Sequence, residues 1–544
     1  MDPANKISPA FEAFLADSGP NDKRDGIVIY KAPPPAEIPP RGRLLEIRKR
    51  LQHVRARAKA QGQLELKLFE DVGKIGKKTL PSKETFQTSS VGHRALPVAR
   101  VQVTRNSLPA LAERPDVVAI MPNQKIHLIR PKKVDYERLI KSEVKDQLTW
   151  GLKALGIPEM WKHSKGAAIT VGVMDTGVFG EHAALGDRVK KFIVIDPLGR
   201  RIETKRAFDC SDHGTHVCGT IAGGKTGDGV SIGVAPEADL IVAGVLIGDS
   251  TLQTLLNGIS WAVENGANII SMSLGFDYYE PHFTKVFEDL RTSYGILPVV
   301  AIGNDNHGNS SSPGNAYNAL SVGAVEKMPG GKPSVVPFSS GASLVFPGAE
   351  PNALVTKPDI VAPGVQVYSC IPPENREDGL FEYTYMDGTS MATPHVAGVV
   401  ALLMSAKPEA PNFLVMRRAS PIQFVPRLWR ERVAWSCPQG LRTSAANGSR
   451  SGTICGHKLK QLCALQMRSQ LSGTVYQSPM NVQEISCFTT RIRTPRYHLP
   501  AAMITRASRK RSALKASPML SPPRDTSTTG FVQASPHPCS EVLR

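Results

Sequence analysis

The chain has 544 residues, and 41% of them are hydrophobic, which is length enough for two or three domains and apolar enough for a sizeable core. Its net charge of +18 is concentrated at one end: residues 412–544 carry 20 basic and 4 acidic groups, whereas residues 1–411 carry 46 and 44. The basic balance therefore gives no ground for reading the main body as a nucleic-acid binder.

Residues 1–24 read as a loosely ordered leader. They lack a basic stretch followed by an apolar run, so no secretory signal is expected and the cytoplasm is the expected compartment. GIVIYKAPPP (26–35) reads as a short strand stopped by prolines. RGRLLEIRKRLQHVRARAKA (41–60) places Leu44, Ile47, Leu51, Val54 and Ala58 on one helical face. The other face is basic, and a solvated or partner-facing helix is favoured there over a nucleic-acid contact. ALPVARVQVTR (95–105) alternates as a strand, SLPALAERPD (107–116) fits a short helix, and VVAIMPNQKIHLI (117–129) is strand again. Residues 25–130 thus form a small α+β unit, and 131–150 a linker.

From 151 to 411 the rhythm changes. Apolar strands at 168–174, 240–246, 268–274, 296–302 and 319–325 alternate with helical stretches. One of these, 251–265, carries Leu252, Leu255, Leu256, Ile259 and Val263 on one face and meets Gly266 at its end. Continuous apolar strands separated by helices predict a parallel sheet covered on both faces, with chemistry beyond the carboxyl ends of the strands. No run reaches the ~18 consecutive apolar residues of a transmembrane helix, so no membrane partner is expected. The body's cysteines, Cys210, Cys218 and Cys370, show no CxxC spacing and read as thiols.

Four blocks carry possible chemistry. VGVMDTGV (171–178) puts Asp175 at the end of a strand, where a plain Asp-x-Gly turn is an equal alternative. SDHGTHVCGTIAGG (211–224) holds His213 and His216, either a metal pair or a general base (His213) beside a structural histidine. VVAIGNDNHG (299–308) ends a strand at Asn304, whose amide either donates into a cleft or belongs to a simple turn. MDGTSMATPHVAGVVALLM (386–404) sets Ser390 at the mouth of an apolar helix, as nucleophile or as cap.

These blocks, in this order and with WAVENGANIISMSLG (261–275) and KPDIVAPG (357–364), resemble the subtilisin-like serine peptidases, the subtilase family, across roughly 151–410. The resemblance implies an α/β, three-layer fold with a mostly parallel sheet, and hydrolysis of polypeptide substrates. Ser390 would be the nucleophile, His213 the general base and Asp175 the group that holds the imidazole in the right tautomer and stabilises the imidazolium. Asn304 and the Ser390 N–H would hold the oxyanion. His395 matches a structural position of the motif. Ser273, Leu274 and Gly275 resemble the segment that pairs with substrate backbone; with Ala301, Ile302 and Gly303 they would flank the pocket for the residue before the scissile bond. No cofactor is required for such chemistry. Calcium is a possible structural ion with no assigned site, since 223–236, where one family site forms, has a single acidic residue, Asp228.

The unit at 25–130 is similar to the family's inhibitory propeptide, above all in PALAERPDVVAIMPNQKIHLI (109–129). This implies a zymogen in which the chain's own propeptide is an intramolecular inhibitor, with cleavage near 130–150. The family trace stops near 411. Residues 412–544 are rich in Arg and Ser, lack periodicity and read as a disordered tail. Such a tail is either a natural appendage touching nucleic acid nonspecifically or sequence read from a shifted frame, and the abruptness of the change favours the latter. The alternative to an active endopeptidase is an impaired subtilase-like protein whose basic tail binds polyanions.

Overall fold

The computed structural model describes residues 3–19, 21–34, 44–79, 88–90, 95–134, 137–328, 333–345, 354–376 and 379–408. The expectations for 412–544 lie outside the described residues.

The N-terminal unit is built on a four-stranded antiparallel sheet. Arg24–Tyr30 lies between Val98–Val103 and Val117–Pro122, and Thr88–Ser90 flanks Val98–Val103. Strand alternation gives this sheet two apolar faces. Val28, Tyr30, Val101 and Ile120 pack against Leu68, Val72, Leu108 and Leu111 of the unit's own helices. Ile27, Ile29, Val98, Ala119 and Met121 face the other way and share a core with Leu255, Ile259, Phe283, Phe287 and Leu290 of the following domain.

Three expectations for this region change. Residues 3–17, read as a loose leader, form two 3-10 turns and a short helix, tied down by the Ser8 N–H donating to the Ile120 carbonyl (2.8 Å) and by the buried Phe11 ring. The helix expected at 41–60 runs from Leu44 to Thr79. Its buried positions Arg50, Val54, Arg57, Gln61, Glu65, Leu68 and Val72 keep helical spacing, but Arg57, Gln61 and Glu65 are polar, so the apolar pattern fades where the helix continues. The linker at 131–150 contains a strand, Lys132–Val134, and a helix, Glu137–Asp146.

The second domain is organised around a nine-stranded sheet. Its parallel run reads Leu320–Lys327, Leu297–Ala301, Ile269–Met272, Thr170–Asp175, Asp239–Gly244, Val189–Ile195. Ile360–Pro363 adds in parallel beside Leu320–Lys327, while Pro333–Val335 and Arg201–Ile202 pair antiparallel. Thr170–Asp175 is central. The chain first builds the sheet to one side of it, then crosses to the other, so Asp175 ends the strand at the topological switch point.

Both faces are covered, as the apolar strands predict. Val171, Val173, Leu240, Val242 and Val299 pack with the helices His213–Ala222 and Thr389–Ala406. Met174, Ile241, Ile270, Met272 and Val300 pack with Leu252–Glu264 and Phe283–Ser293. Among the described residues only Thr389–Ala406 is long and apolar enough to cross a membrane, and it is almost wholly buried inside the domain.

Candidate active site

Asp175 and His213 meet across a close backbone approach. Gly177 follows the aspartate with φ +128°, and a Cβ on Gly214 would lie 2.1 Å from the Gly177 carbonyl oxygen. With no side chain at either position, the mouth of the helix His213–Ala222 sits directly on the Asp-Thr-Gly turn. His213 Nδ1 lies 2.7 Å from Asp175 Oδ1, which also accepts from the Thr176 N–H at 2.8 Å. Both side chains are 1% exposed. Desolvation opposes the imidazolium, but the Asp175 charge and hydrogen bond outweigh it, with help from Asp209 and Asp212, so the His213 pKa is held above its ordinary value.

Asp209 gave no signal of its own in the sequence. Its Oδ1 accepts from the Thr176 hydroxyl (2.7 Å), and its Oδ2 from the Thr215 N–H (2.7 Å) and hydroxyl (2.6 Å). Thr176 follows Asp175, and Thr215 lies two residues after His213, so one carboxylate ties together the two elements that carry the pair. Burial pushes the Asp209 carboxyl up to about 6. The available signal was the acidic residue four positions before His213, in DCSDH, but Asp212 is nearer and competes for the same reading.

Ser390 is the second residue of the helix Thr389–Ala406 and is fully buried. Beside it, Asn304 Oδ1 accepts from the Thr389 N–H and hydroxyl, each at 2.9 Å. Those donors fix the amide so that Nδ2 points into the cleft, where it donates to the Arg130 carbonyl at 3.1 Å. Ser273 anchors the opposite wall by donating from its hydroxyl to the Ser390 carbonyl (3.1 Å). Ala301 ends its strand, and Ile302 and Gly303 carry the chain on to Asn304.

The other histidines lie elsewhere. His216 Nε2 donates to the Val367 carbonyl (3.0 Å) and burial lowers its pKa to about 3. His395 Nδ1 bonds the Met391 carbonyl of its own helix (2.8 Å), its ring packs on Gly151, and burial lowers its pKa to about 4. Both are neutral, hydrogen-bonded core groups.

The cleft holds a segment of the chain itself. His127–Leu128 pairs antiparallel with Leu274–Gly275, and the Ile129 N–H donates to the Ser273 carbonyl (3.3 Å). The Ser390 hydroxyl donates to the Ile129 carbonyl at 2.8 Å. Beyond Pro131, Lys132–Val134 pairs with Tyr385–Asp387 on the far side of the serine. With its hydroxyl donating to the Ile129 carbonyl, Ser390 does not bond His213, and His213 Nε2 has no hydrogen-bond partner.

The residues at 223–236 do not fit a calcium loop. Ca²⁺ takes six to eight oxygens, commonly from several carboxylates. Asp228 stands alone there, the segment closes on itself through the Thr226–Val230 and Lys225–Ser231 backbone pairs, and Ala184, whose carbonyl holds Gly224, offers no side-chain ligand.

A model of the subtilase family matches residues 166–423. The chain is 33% identical over 276 residues to the major intracellular serine protease of Bacillus subtilis (strain 168), covering 49% of this chain and 77% of that protein. It is 32% identical over 290 residues to an intracellular serine protease of Paenibacillus polymyxa, covering 52% and 78%. Among solved structures, fervidolysin from Fervidobacterium pennivorans, a keratinolytic enzyme related to subtilisin, aligns with a TM-score of 0.50 and 23% identity over 73% of this chain and 57% of its own, a likeness of fold. The chain belongs to the subtilase family and is a serine-type endopeptidase.

Proposed function

We propose that this endopeptidase works through Ser390, His213 and Asp175 with Asn304 as oxyanion donor, and that the structure represents its self-inhibited precursor. One observation carries the reading: Ser390 Oγ, Asn304 Nδ2 and the backbone of Ser273–Gly275 all engage a single extended stretch of polypeptide. In a substrate complex His213 Nε2 takes the proton of Ser390 Oγ as the oxygen attacks the carbonyl carbon. It returns that proton to the leaving amine, while Asp175 holds Nδ1–H and stabilises the imidazolium. Asn304 Nδ2 and the Ser390 N–H, free at the start of its helix, receive the oxyanion. Every group in this scheme is a side chain or the backbone, so the proposed chemistry calls on no cofactor.

The bound segment pairs in register up to Ile129 and is held out of reaction by how its Ile129 and Arg130 carbonyls are turned. Attack requires one carbonyl to present its carbon to the serine and its oxygen to Asn304. Here the serine addresses the oxygen of Ile129, and Asn304 addresses that of the next residue, Arg130. The N-terminal unit, docked on the catalytic domain, acts in this reading as propeptide, and 127–134 as the strap it lays across the cleft. Substrates are polypeptides. The two relatives named as intracellular proteases favour a cytoplasmic location.

Fluorophosphonate labelling of the purified full-length chain tests both parts. Wild type should label and Ser390→Ala should not, and label should grow in step with loss of the N-terminal fragment on gels. Failure of the wild type to label sinks the peptidase mechanism. Full labelling of the intact chain at the outset sinks the zymogen.

A further inference from the structure

The segment lying in the cleft, QKIHLIRPKK (124–133), carries Lys125, His127, Arg130, Lys132 and Lys133 and no carboxylate. Counting back from the carbonyl that Ser390 addresses, Ile129 is the first residue, His127 the third and Lys125 the fifth. Ile129 is buried against the cleft, while the Lys125 and His127 side chains are exposed, on the opposite side of the strand from the buried Ile126. Each of these two outer side chains meets a carboxylate of the cleft rim. Lys125 Nζ lies 2.8 Å from Asp249 Oδ1, in the loop before the helix Leu252–Glu264. His127 Nε2 lies 3.0 Å from Asp277 Oδ1, two residues beyond the edge strand Leu274–Gly275. Both carboxylates remain mostly exposed, at 81% and 72%, and neither has another cation partner among the described residues. Arg130 and Asp212 line the same cavity of about 460 Å³ beside His213.

We propose that the catalytic cleft selects polypeptides with basic side chains at the third and fifth positions before the scissile bond, read by Asp277 and Asp249, with apolar residues between. This rests on the peptidase reading above and treats the strap as a template for what the cleft accepts. Two features of the cleft point the same way. Backbone pairing with Leu274–Gly275 fixes which substrate side chains face outward, and the outward side is where both carboxylates stand. An acidic residue at either position would face a like charge across about the same distance, so the rim rejects as well as attracts.

The test uses the full-length chain and quenched fluorescent peptides copied from 124–133, with alanine in place of Pro131. The residues at the third and fifth positions are both Lys, both Gln or both Glu. Ratios of kcat/KM between peptides do not depend on what fraction of molecules has an open cleft. The Lys peptide should exceed the Gln peptide by about threefold to tenfold at low salt, the size expected of two exposed ion pairs. The Glu peptide should fall below both. The preference should shrink toward one in about 1 M salt, where the screening length is ~3 Å. The double variant Asp249→Asn, Asp277→Asn should lose it at low salt as well. Equal rates for all three peptides at low salt overturn the proposal while leaving the peptidase standing. Hydrolysis of none of them overturns the peptidase reading, and this proposal with it.

Discussion

The hydrogen bond between Asp175 and His213 depends on a third acid that touches neither. Asp209 receives Thr176 on one oxygen and Thr215 on the other, and so sets the distance between the turn and the helix that carry the pair. Because burial raises its carboxyl to about 6, the fold favours its protonated form. Its stabilising contribution is therefore present below the ordinary carboxylate pKa of ~4 and lost as pH rises through about 6. At the pH where His213 titrates, Asp209 is charged and helps keep the imidazole protonated. Asp209→Asn should thus move the acid limb of kcat/KM to lower pH. It should also lower kcat, since one of the two acceptor oxygens that hold Thr176 and Thr215 becomes an N–H donor. A pH–rate profile checks both; an unmoved limb would reduce Asp209 to a packing residue. Asn304→Ala should cost about 10²–10³ in kcat with KM little changed, the size known for the corresponding donor in subtilisin, itself a member of this family. Equal losses in binding and turnover would show that Asn304 holds the ground state as well.

At the scale of elements, the helix Leu44–Thr79 fastens the N-terminal unit to the catalytic domain, and it does so with charge. Arg57 donates to Asp289 at 2.7 Å with side-chain exposures of 4% and 7%, and its guanidinium stacks 5.5 Å from the Tyr294 ring centroid. Arg50 and His53 bond the Tyr294 and Ser293 carbonyls at the end of the helix Phe283–Ser293. Removing one partner of such a buried pair costs about 3–5 kcal/mol, chiefly through the charge left behind. Arg57→Ala should therefore loosen docking and speed fluorophosphonate labelling of the full-length chain; an unchanged labelling rate would mean that the strap alone closes the cleft. The same contact explains where sequence reading stopped. The strands ending at Asp175 and Ala301 were legible because parallel strands buried on both faces are apolar throughout. The helix past residue 60 was not, because Arg57, Gln61 and Glu65 take positions on its buried face where an apolar residue would have continued the pattern. Asp175, His213, Asn304 and Ser390 stood out through their local motifs. Asp209 acts by way of two threonines, and the strap occupies the cleft through backbone bonds that leave no mark in composition.

Across the whole molecule, the two folding units share one core. Ile27, Ile29, Val98, Ala119 and Met121 of the N-terminal sheet lie in the same apolar cluster as Phe283, Phe287, Leu290 and Ile259, and Tyr294 reaches across to the Ala95 carbonyl. The helices Leu252–Glu264 and Phe283–Ser293 are thus covered on one side by the central sheet and on the other by the N-terminal unit. The second cover is the part that the proposed maturation would remove. Each large side chain returned to water costs about 1.5–3 kcal/mol at full exposure. Partial exposure of several at once therefore reaches a sizeable fraction of a domain's ~5–15 kcal/mol. A chain beginning at residue 124 should unfold at a lower temperature than the full-length protein and refold in lower yield from denaturant. Adding the 1–123 fragment in trans should recover part of both, because the lost surface is a matched face and the covalent link is dispensable to it. Calorimetry and refolding yield measure this directly. Equal stability of the truncated and full-length chains would show that the helices hold their packing without the N-terminal sheet, and that the shared cluster contributes to inhibition by placing the strap and nothing to the stability of the catalytic domain.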